Sequence, residues 1–287
     1  MKKFKIKSYC KVNLTLRVLR KESNGYHKIR TLITFCNLHD IITISKVKNL
    51  LDEITFSGKF KRGISKKNNT ITKVLKLFRE KKFVQNQFFK INIQKNIPHG
   101  AGLGGGSSNA AALINYFNSK SKLKLNEIKI KYLARKIGFD VPICLQKKNL
   151  LITGKKNEML RSNKKFKFIL LIVYPNLICS TKKIYEKNKQ MRSIKQKNYL
   201  QIKDNKKLIT YLINDRNDFE KVVSKIYPKV KSTIKFIRDQ KGCYFSRISG
   251  SGSACFGLFS NSNNAIYAKK LIKLKYPKYW CVISKTI

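Results

Sequence analysis

Apolar and polar residues alternate from Cys10 to Leu19. Val12, Leu14, Leu16 and Val18 fall on one face of an extended segment, and Lys11, Asn13, Thr15 and Arg17 on the other. That period of two predicts a half-buried strand. Asn24-Gly25 is a turn dipeptide. Apolar runs at 29–35, 41–44 and 54–56 extend the opening into a β-rich layer. The period then changes. Asn69 or Thr70 caps a helix whose buried face is Ile71, Val74, Leu75 and Phe78. A strand over 88–93 follows. A helix from Asn126 buries Ile130, Leu133, Ala134 and Ile137 and stops at Gly138 as a C′ residue; an apolar stretch, 139–144, comes next. The polar, lysine-rich segment 155–166 marks a boundary and divides the chain into domains 1–158 and 159–287. Beyond it lie an apolar strand over 168–174, mainly helices over 182–241, and a small-residue loop at 249–253. A strand over 254–259, a short helix and a last strand over 280–283 close the chain.

The densest glycine stretch, Pro98-His99-Gly100-Ala101-Gly102-Leu103-Gly104-Gly105-Gly106-Ser107-Ser108-Asn109, runs straight into Ala110-Ala111-Ala112. Five glycines in seven residues cost too much backbone entropy for a mere turn. Alanine starts helices readily, and Ser107, Ser108 and Asn109 are good caps. The segment reads as bare backbone feeding a helix N-terminus, where unpaired amides and the helix dipole attract an anion. It is a phosphate cradle in type. It lacks the Gly-Lys-Ser/Thr of a Walker loop. The second helix at 126–138 argues against a dinucleotide fold, where a strand ending in an acidic residue is due. No Val-Ala-Ile-Lys strand follows, as a protein kinase would require.

Charge changes the picture less than its size suggests. Across 287 residues, 64 Lys and Arg face 14 Asp and Glu, a net charge of +50. The lysines are spread over the whole chain, and Asn, Ile, Phe and Tyr are abundant too, as in A/T-rich coding. This pattern favours composition bias over a nucleic-acid-binding patch, although the field still raises encounter rates with anions. No apolar run has the length of a membrane span, and the basic start lacks the apolar core of a signal peptide. Seven scattered cysteines without a CxxC pair suit reduced thiols in a cytoplasm and offer no zinc site or other metal centre.

With so few acids, Asp140 stands out. It follows a helix-ending glycine and sits beside Pro142 among apolar neighbours; it is either a partly desolvated carboxylate, with its pKa raised unless a cation offsets the effect, or an N-cap or turn aspartate. Lys11 on the first strand is one lysine among many.

The loop resembles the Pro-x-x-x-Gly-Leu-Gly-Ser/Gly-Ser-Ser signature of the GHMP kinases, the family of galactokinase, homoserine kinase, mevalonate kinase and phosphomevalonate kinase. Four segments together are similar to one branch of it, whose acceptor is a cytidine-diphosphate-linked methylerythritol. They are Lys11-Val12-Asn13-Leu14, Asn24-Gly25-Tyr26-His27, Gly138-Phe139-Asp140-Val141-Pro142 and the late loop 249–253. Cys10 stands where the family has alanine. The resemblance implies an α+β, two-domain fold, with a ribosomal-protein-S5-domain-2-like N-terminal domain and a ferredoxin-like α/β sandwich as C-terminal domain.

It also implies roles. Asp140 would be the base and Lys11 its partner. Pro98, His99, Gly100, Ala101, Gly102, Leu103, Gly104, Gly105, Gly106, Ser107 and Ser108 would wrap the ATP phosphates, with Asn69 and Lys95 near the adenine. Tyr26 and Tyr185 would sandwich the cytosine by stacking, and His27 would bond its edge. Asn13 and Thr181 would contact the erythritol or diphosphate part. ATP as co-substrate and Mg²⁺ are implied, in a cytoplasmic monomer or homodimer. A homoserine- or mevalonate-type kinase, or a nucleic-acid-binding protein on an inactive kinase scaffold, are the alternatives.

Overall fold

The computed structural model describes residues 2–23, 27–48, 50–120, 124–154, 158–188 and 198–287. Asn24, Gly25 and Tyr26 therefore lie outside the described residues. The chain folds as two compact units, each discontinuous in sequence. The first comprises Met1–Lys11, Leu38–His99 and Gly104–Lys147. The second comprises Val12–Asn37, Gly100–Leu103 and Lys148–Ile287.

In the first unit, β1 (Phe4–Asn13) supplies its residues up to Lys11, and the second half of β3 (His27–Val47) pairs antiparallel with β5 (Phe88–Gln94). Ile42 stands opposite Ile93, and Ile44 opposite Ile91. β4 (Glu53–Ser57) runs parallel to β5. Four helices pack together here: α1 (Thr70–Glu80), α2 (Gly105–Lys120), α3 (Glu127–Ile137) and the single turn α4 (Val141–Cys144). α1 forms where the pattern puts it. Ile71, Val74, Leu75, Leu77 and Phe78 are buried, and Asn69 closes a capping box with Thr72, a device worth about 1 kcal/mol. The Phe117 ring of α2 lies 5.6 Å from Phe78 of α1 and 5.0 Å from Phe89 of β5, which fixes both helices to the strand.

In the second unit, β8 (Ile169–Tyr174), β9 (Cys243–Ile248), β10 (Cys255–Phe259) and β11 (Trp280–Lys285) form an antiparallel sheet in the order β11-β8-β10-β9. α8 (Pro228–Arg238) lies between β8 and β9 in the chain, and α9 (Ser262–Lys275) between β10 and β11. Both pack on this sheet, the βαββαβ arrangement of a ferredoxin-like sandwich. Leu171, Val173, Val230, Ile234, Ile237, Cys255, Ala265, Ala268 and Ile272 form its core. The longer β8–β9 link carries α5 (Thr181–Lys187), a 3₁₀ turn (Tyr199–Gln201), α6 (Asn205–Ile213) and α7 (Glu220–Ile226). β2 (Arg17–Lys21), the first half of β3, β6 (Asn149–Ile152) and β7 (Met159–Ser162) pair side by side in the same unit. The architecture is α+β, as the motifs imply.

Four details depart from the sequence pattern. The segment 10–19 is two strands, broken at residues 14–16, and both its faces are buried: Lys11, Asn13 and Thr15 are as enclosed as Val12 and Leu14. The reason is polar pairing. Asn13 Nδ2 donates to Thr31 Oγ1 at 2.9 Å, Thr31 Oγ1 donates to the Thr15 carbonyl at 2.6 Å, and Leu32 N donates to Thr15 Oγ1 at 3.2 Å, so the buried Asn13 and Thr15 side chains are paired. Helix α2 begins at Gly105, so Ser107, Ser108 and Asn109 lie inside its first turns rather than capping it. Gly138 ends α3 in extended backbone, φ 174°, not the left-handed C′ form. Strand β9 is an element that the hydrophobic pattern does not announce.

Gly257 of β10 tests the packing of α8. A Cβ there would overlap Ile237 Cγ2 and come within 2.9 Å of Phe259 Cε2. Gly257→Ala is expected to destabilise the protein by about 1–3 kcal/mol, read as a lower urea midpoint. An unchanged midpoint would mean that α8 yields at no cost.

Candidate active site

The first unit brings Lys11 and Asp140 together: Nζ lies 3.4 Å from Oδ2. The two ends of the pair differ. The Lys11 side chain is 5% exposed and that of Asp140 44%. Asp140 occupies the N-cap of α4, at the end of a turn, yet makes no capping bond with its side chain. The apolar neighbours expected around it are present as the buried turn Val141–Cys144. The carboxylate itself is not enclosed with them; it opens to solvent.

Room for the lysine comes from Gly104. Its φ is +68°, and a Cβ there would stand 2.6 Å from Lys11 Cγ and 3.1 Å from Cε. Both the left-handed backbone and the close approach require glycine. One residue later α2 begins, and Ser108 N closes on the Gly104 carbonyl at 2.8 Å. The Ser108 hydroxyl and Asn109 Oδ1 are buried without a hydrogen-bond partner among the described residues. The start of α1 sits beside the start of α2, because Thr70 Oγ1 donates to the Gly106 carbonyl at 2.9 Å. Two helix N-termini thus converge, an arrangement that favours a bound anion.

Other loop-side candidates have definite internal tasks. The Asn69 side chain accepts from Ile71 N and Thr72 N, capping α1. Lys95 is 2% exposed, and its ammonium is paired with Asp40. His99 Nε2 is 3.0 Å from the Arg62 carbonyl.

The second unit holds Gly100–Leu103 and the remaining candidates. Ser249 Oγ donates to the Gly102 carbonyl at 2.9 Å and accepts from Asn13 N at 3.1 Å. Ala254 N donates to the Ala101 carbonyl at 3.1 Å. The late small-residue loop therefore braces the crest of the glycine loop. Thr181 Oγ1 is 2.9 Å from Ser251 Oγ. His27, Tyr185 and Phe219 form a row of rings, with centroids 5.1 Å and 4.5 Å apart. Burial, then the nearby Lys21 ammonium, holds the His27 imidazole below its ordinary pKa; at neutral pH the ring is uncharged and offers one donor and one acceptor.

Sequence reasoning missed Asp40, Asn109 and the bracing role of Ser249. For Asp40 a signal exists: it is one of only 14 acidic residues and directly precedes the apolar run 41–44. A carboxylate in such a place needs buried partners.

The GHMP kinases N terminal domain model matches residues 69–148, and the GHMP kinases C terminal model matches 196–272. The 4-diphosphocytidyl-2-C-methyl-D-erythritol kinase of Pelagibacter ubique is 39% identical over 287 residues, covering 100% of both chains. The enzyme of the same name from Caldanaerobacter subterraneus is 36% identical, covering 99% of this chain and 97% of its own. A crystal structure of 4-(cytidine 5'-diphospho)-2C-methyl-D-erythritol kinase superposes with a TM-score of 0.74 at 23% identity, covering 98% of this chain and 99% of that one.

The brace on the loop crest is open to test. Gly102 has φ +78°, and a Cβ there would overlap the Ser249 carbonyl oxygen. Gly102→Ala is expected to cost about 2 kcal/mol or more from backbone strain and overlap together, with faster hydrogen exchange at the Ala254 amide. Wild-type stability and exchange would mean that the two loops are slack against each other.

Proposed function

We propose that this chain, which belongs to the 4-diphosphocytidyl-2-C-methyl-D-erythritol kinases of the GHMP kinase family, phosphorylates the 2-hydroxyl of 4-diphosphocytidyl-2-C-methyl-D-erythritol. ATP is the donor, and the products are the 2-phosphate and ADP. The step belongs to non-mevalonate synthesis of isopentenyl diphosphate. The observation that carries the reading is the half-open Lys11–Asp140 pair, 3.4 Å across, set against Gly104 at the foot of α2.

Asp140 takes the proton of the 2-hydroxyl as its oxygen attacks the γ-phosphorus of ATP. The bond from that phosphorus to the β,γ-bridging oxygen breaks, and ADP leaves with the electron pair. Transfer is direct and in line, with no phosphoenzyme. Lys11 pairs with Asp140 and sets a positive charge against the phosphoryl oxygens as negative charge develops on them. Main-chain amides of the stretch 98–108 hold the phosphates, with Asn69 on the nucleotide's side; Lys95, enclosed and paired with Asp40, does not reach the nucleotide. Tyr26 and Tyr185 stack on the cytosine, the neutral His27 bonds its edge, and Asn13 and Thr181 meet the erythritol or diphosphate.

Mg²⁺ accompanies ATP in this reading and neutralises phosphate charge when bound. The ion would be held largely by phosphate oxygens and water, as Mg²⁺ commonly is. The Ser108 hydroxyl, without a hydrogen-bond partner among the described residues, suits a phosphate oxygen or that ion. Among the described residues no group of three His, Cys, Asp or Glu forms a metal cluster, and no helix is long and apolar enough to cross a membrane. The enzyme is read as cytoplasmic.

The direct test is ADP release with the cytidyl substrate, homoserine or mevalonate as acceptor. Turnover is expected with the first alone; turnover with either of the others instead would overturn the assignment. Asp140→Asn is expected to lower kcat by about 10²–10⁴-fold while ATP binding stays near wild type. Equal loss of both would mark Asp140 as structural. Protonating His27 removes its acceptor, so KM for the cytidyl substrate is expected to rise as pH falls below the ordinary histidine range and to fall again on return to neutrality. A His27→Gln variant should flatten that profile; an unchanged profile would remove His27 from base recognition.

A further inference from the structure

We propose that Asp40 is a positioning residue for ATP: one buried carboxylate sets the spacing between the two ends of the glycine loop. The proposal rests on the kinase reading above. Asp40 lies on β3 and is 0% exposed. Four donors converge on it. Oδ1 accepts from Asn96 N at 2.7 Å and Ile97 N at 2.9 Å. Oδ2 accepts from Asn109 Nδ2 at 3.1 Å and from the Lys95 ammonium. A carboxylate has about four acceptor sites, so its capacity is filled.

These donors come from both flanks of the loop. Asn96 and Ile97 are the last residues before Pro98, where the chain leaves β5. Asn109 lies in the early turns of α2, where the chain resumes regular structure. The Lys95 ammonium lies under the foot of α2: a Cβ on Gly105 would stand 3.3 Å from its Nζ and 3.0 Å from Ile97 Cγ2. Asp40 thus ties the strand-side flank to the helix-side flank, and Lys95 balances its charge, so the brace brings no net negative charge to a site meant for phosphate. With both flanks anchored from below, the bare amides between them span a set distance before a nucleotide arrives. Preorganisation of this kind acts on ATP affinity. It has no lever on the acceptor.

A plainer role, neutralising a buried lysine, predicts something different, and two double variants separate the roles. Asp40→Asn/Lys95→Met removes both charges but keeps an acceptor for the Asn96 and Ile97 amides. The new amide N–H can be received by Asn109 Oδ1, which has no partner among the described residues. Asp40→Leu/Lys95→Met removes both charges and the acceptor. With melting curves recorded to establish folding, the Asn version is expected to bind ATP within about 3-fold of wild type, and the Leu version at least about 10-fold more weakly. KM for the cytidyl substrate, and kcat at saturating ATP, should hold near wild type in both. Equal ATP affinity in the two variants, or an equal rise in acceptor KM, overturns the proposal.

Amide exchange in the wild-type chain provides a second measurement should the Leu version fail to fold. Asn96 and Ile97 should be protected as strongly as the core of β5, and rapid exchange there overturns the proposal too. A wild type that binds no ATP would instead defeat the kinase reading, and the exchange data would still decide whether Asp40 braces the loop.

Discussion

The missing side chain at Gly104 governs the first unit. Lys11 is long and flexible, and free in solution such a chain carries about 2 kcal/mol of rotamer entropy. Here its stem lies against a bare α-carbon, closer than any Cβ would permit. The ammonium therefore stands beside Asp140 before any ligand binds. The same glycine turns the chain, through a positive φ, into the first residue of α2. One α-carbon thus sets both the cation and the helix end that would face a phosphate, and a charge already in position costs no reorganisation when negative charge develops. Because Asp140 is 44% exposed, water screens the pair and it adds little to stability. Its value lies in where the carboxylate is held.

The Asp40–Lys95 pair is the counterpart. It has the same two residue types in the same unit but at opposite burial, with neither side chain more than 2% exposed. Taking two charges out of water is expensive, and attraction alone repays the cost poorly. The added bonds from Asn96, Ile97 and Asn109 make the burial tolerable. Losing one partner of such a pair typically costs about 3–5 kcal/mol. Acids are scarce in this chain, and several mark joints. Asp52 takes Arg79 and the Phe89 amide. Asp218 takes the Val18 amide and the Arg216 side chain. A carboxylate surrounded by so many cations finds a partner easily, so position, more than partner choice, separates a structural acid from a chemical one.

This explains what was legible in the sequence. Helices α1 and α3 declare themselves because one face is apolar and a side chain caps the start. The glycine loop declares itself by composition. Strand β9 does not, because Phe245, Ser246, Arg247 and Ile248 are all buried and no alternation survives. Arg247 is accommodated there by donating to the carbonyls of Leu14, Leu212, Ile213 and Asp215, none of which is near it in sequence. β3 likewise reads as two apolar runs with a polar gap, yet it is one strand of 21 residues; Asp40 sits in the gap as a fully bonded buried group. Motifs name Lys11 and Asp140, but only coordinates supply the 3.4 Å between them and the open side of the carboxylate. Pattern reading fails wherever polar residues are buried through long-range bonds.

The charge of +50 has a structural side as well. Like charges repel, and a net charge far from zero weakens the compact state. Part of the answer is to lay lysines on rings. Lys147 lies 4.6 Å from the Tyr9 ring centre, Lys275 4.7 Å from Phe236, Lys120 4.8 Å from Phe4 and Lys136 4.8 Å from Tyr132. Each such contact is worth about 0.5–1 kcal/mol at an exposed site, while the aliphatic stem covers apolar surface. Burial also holds Lys147 below its ordinary pKa. These four lysines thus act as packing elements as well as charges. What remains is a diffuse positive field. Within it the converging starts of α1 and α2 supply the local, directional attraction that a spread of lysines cannot.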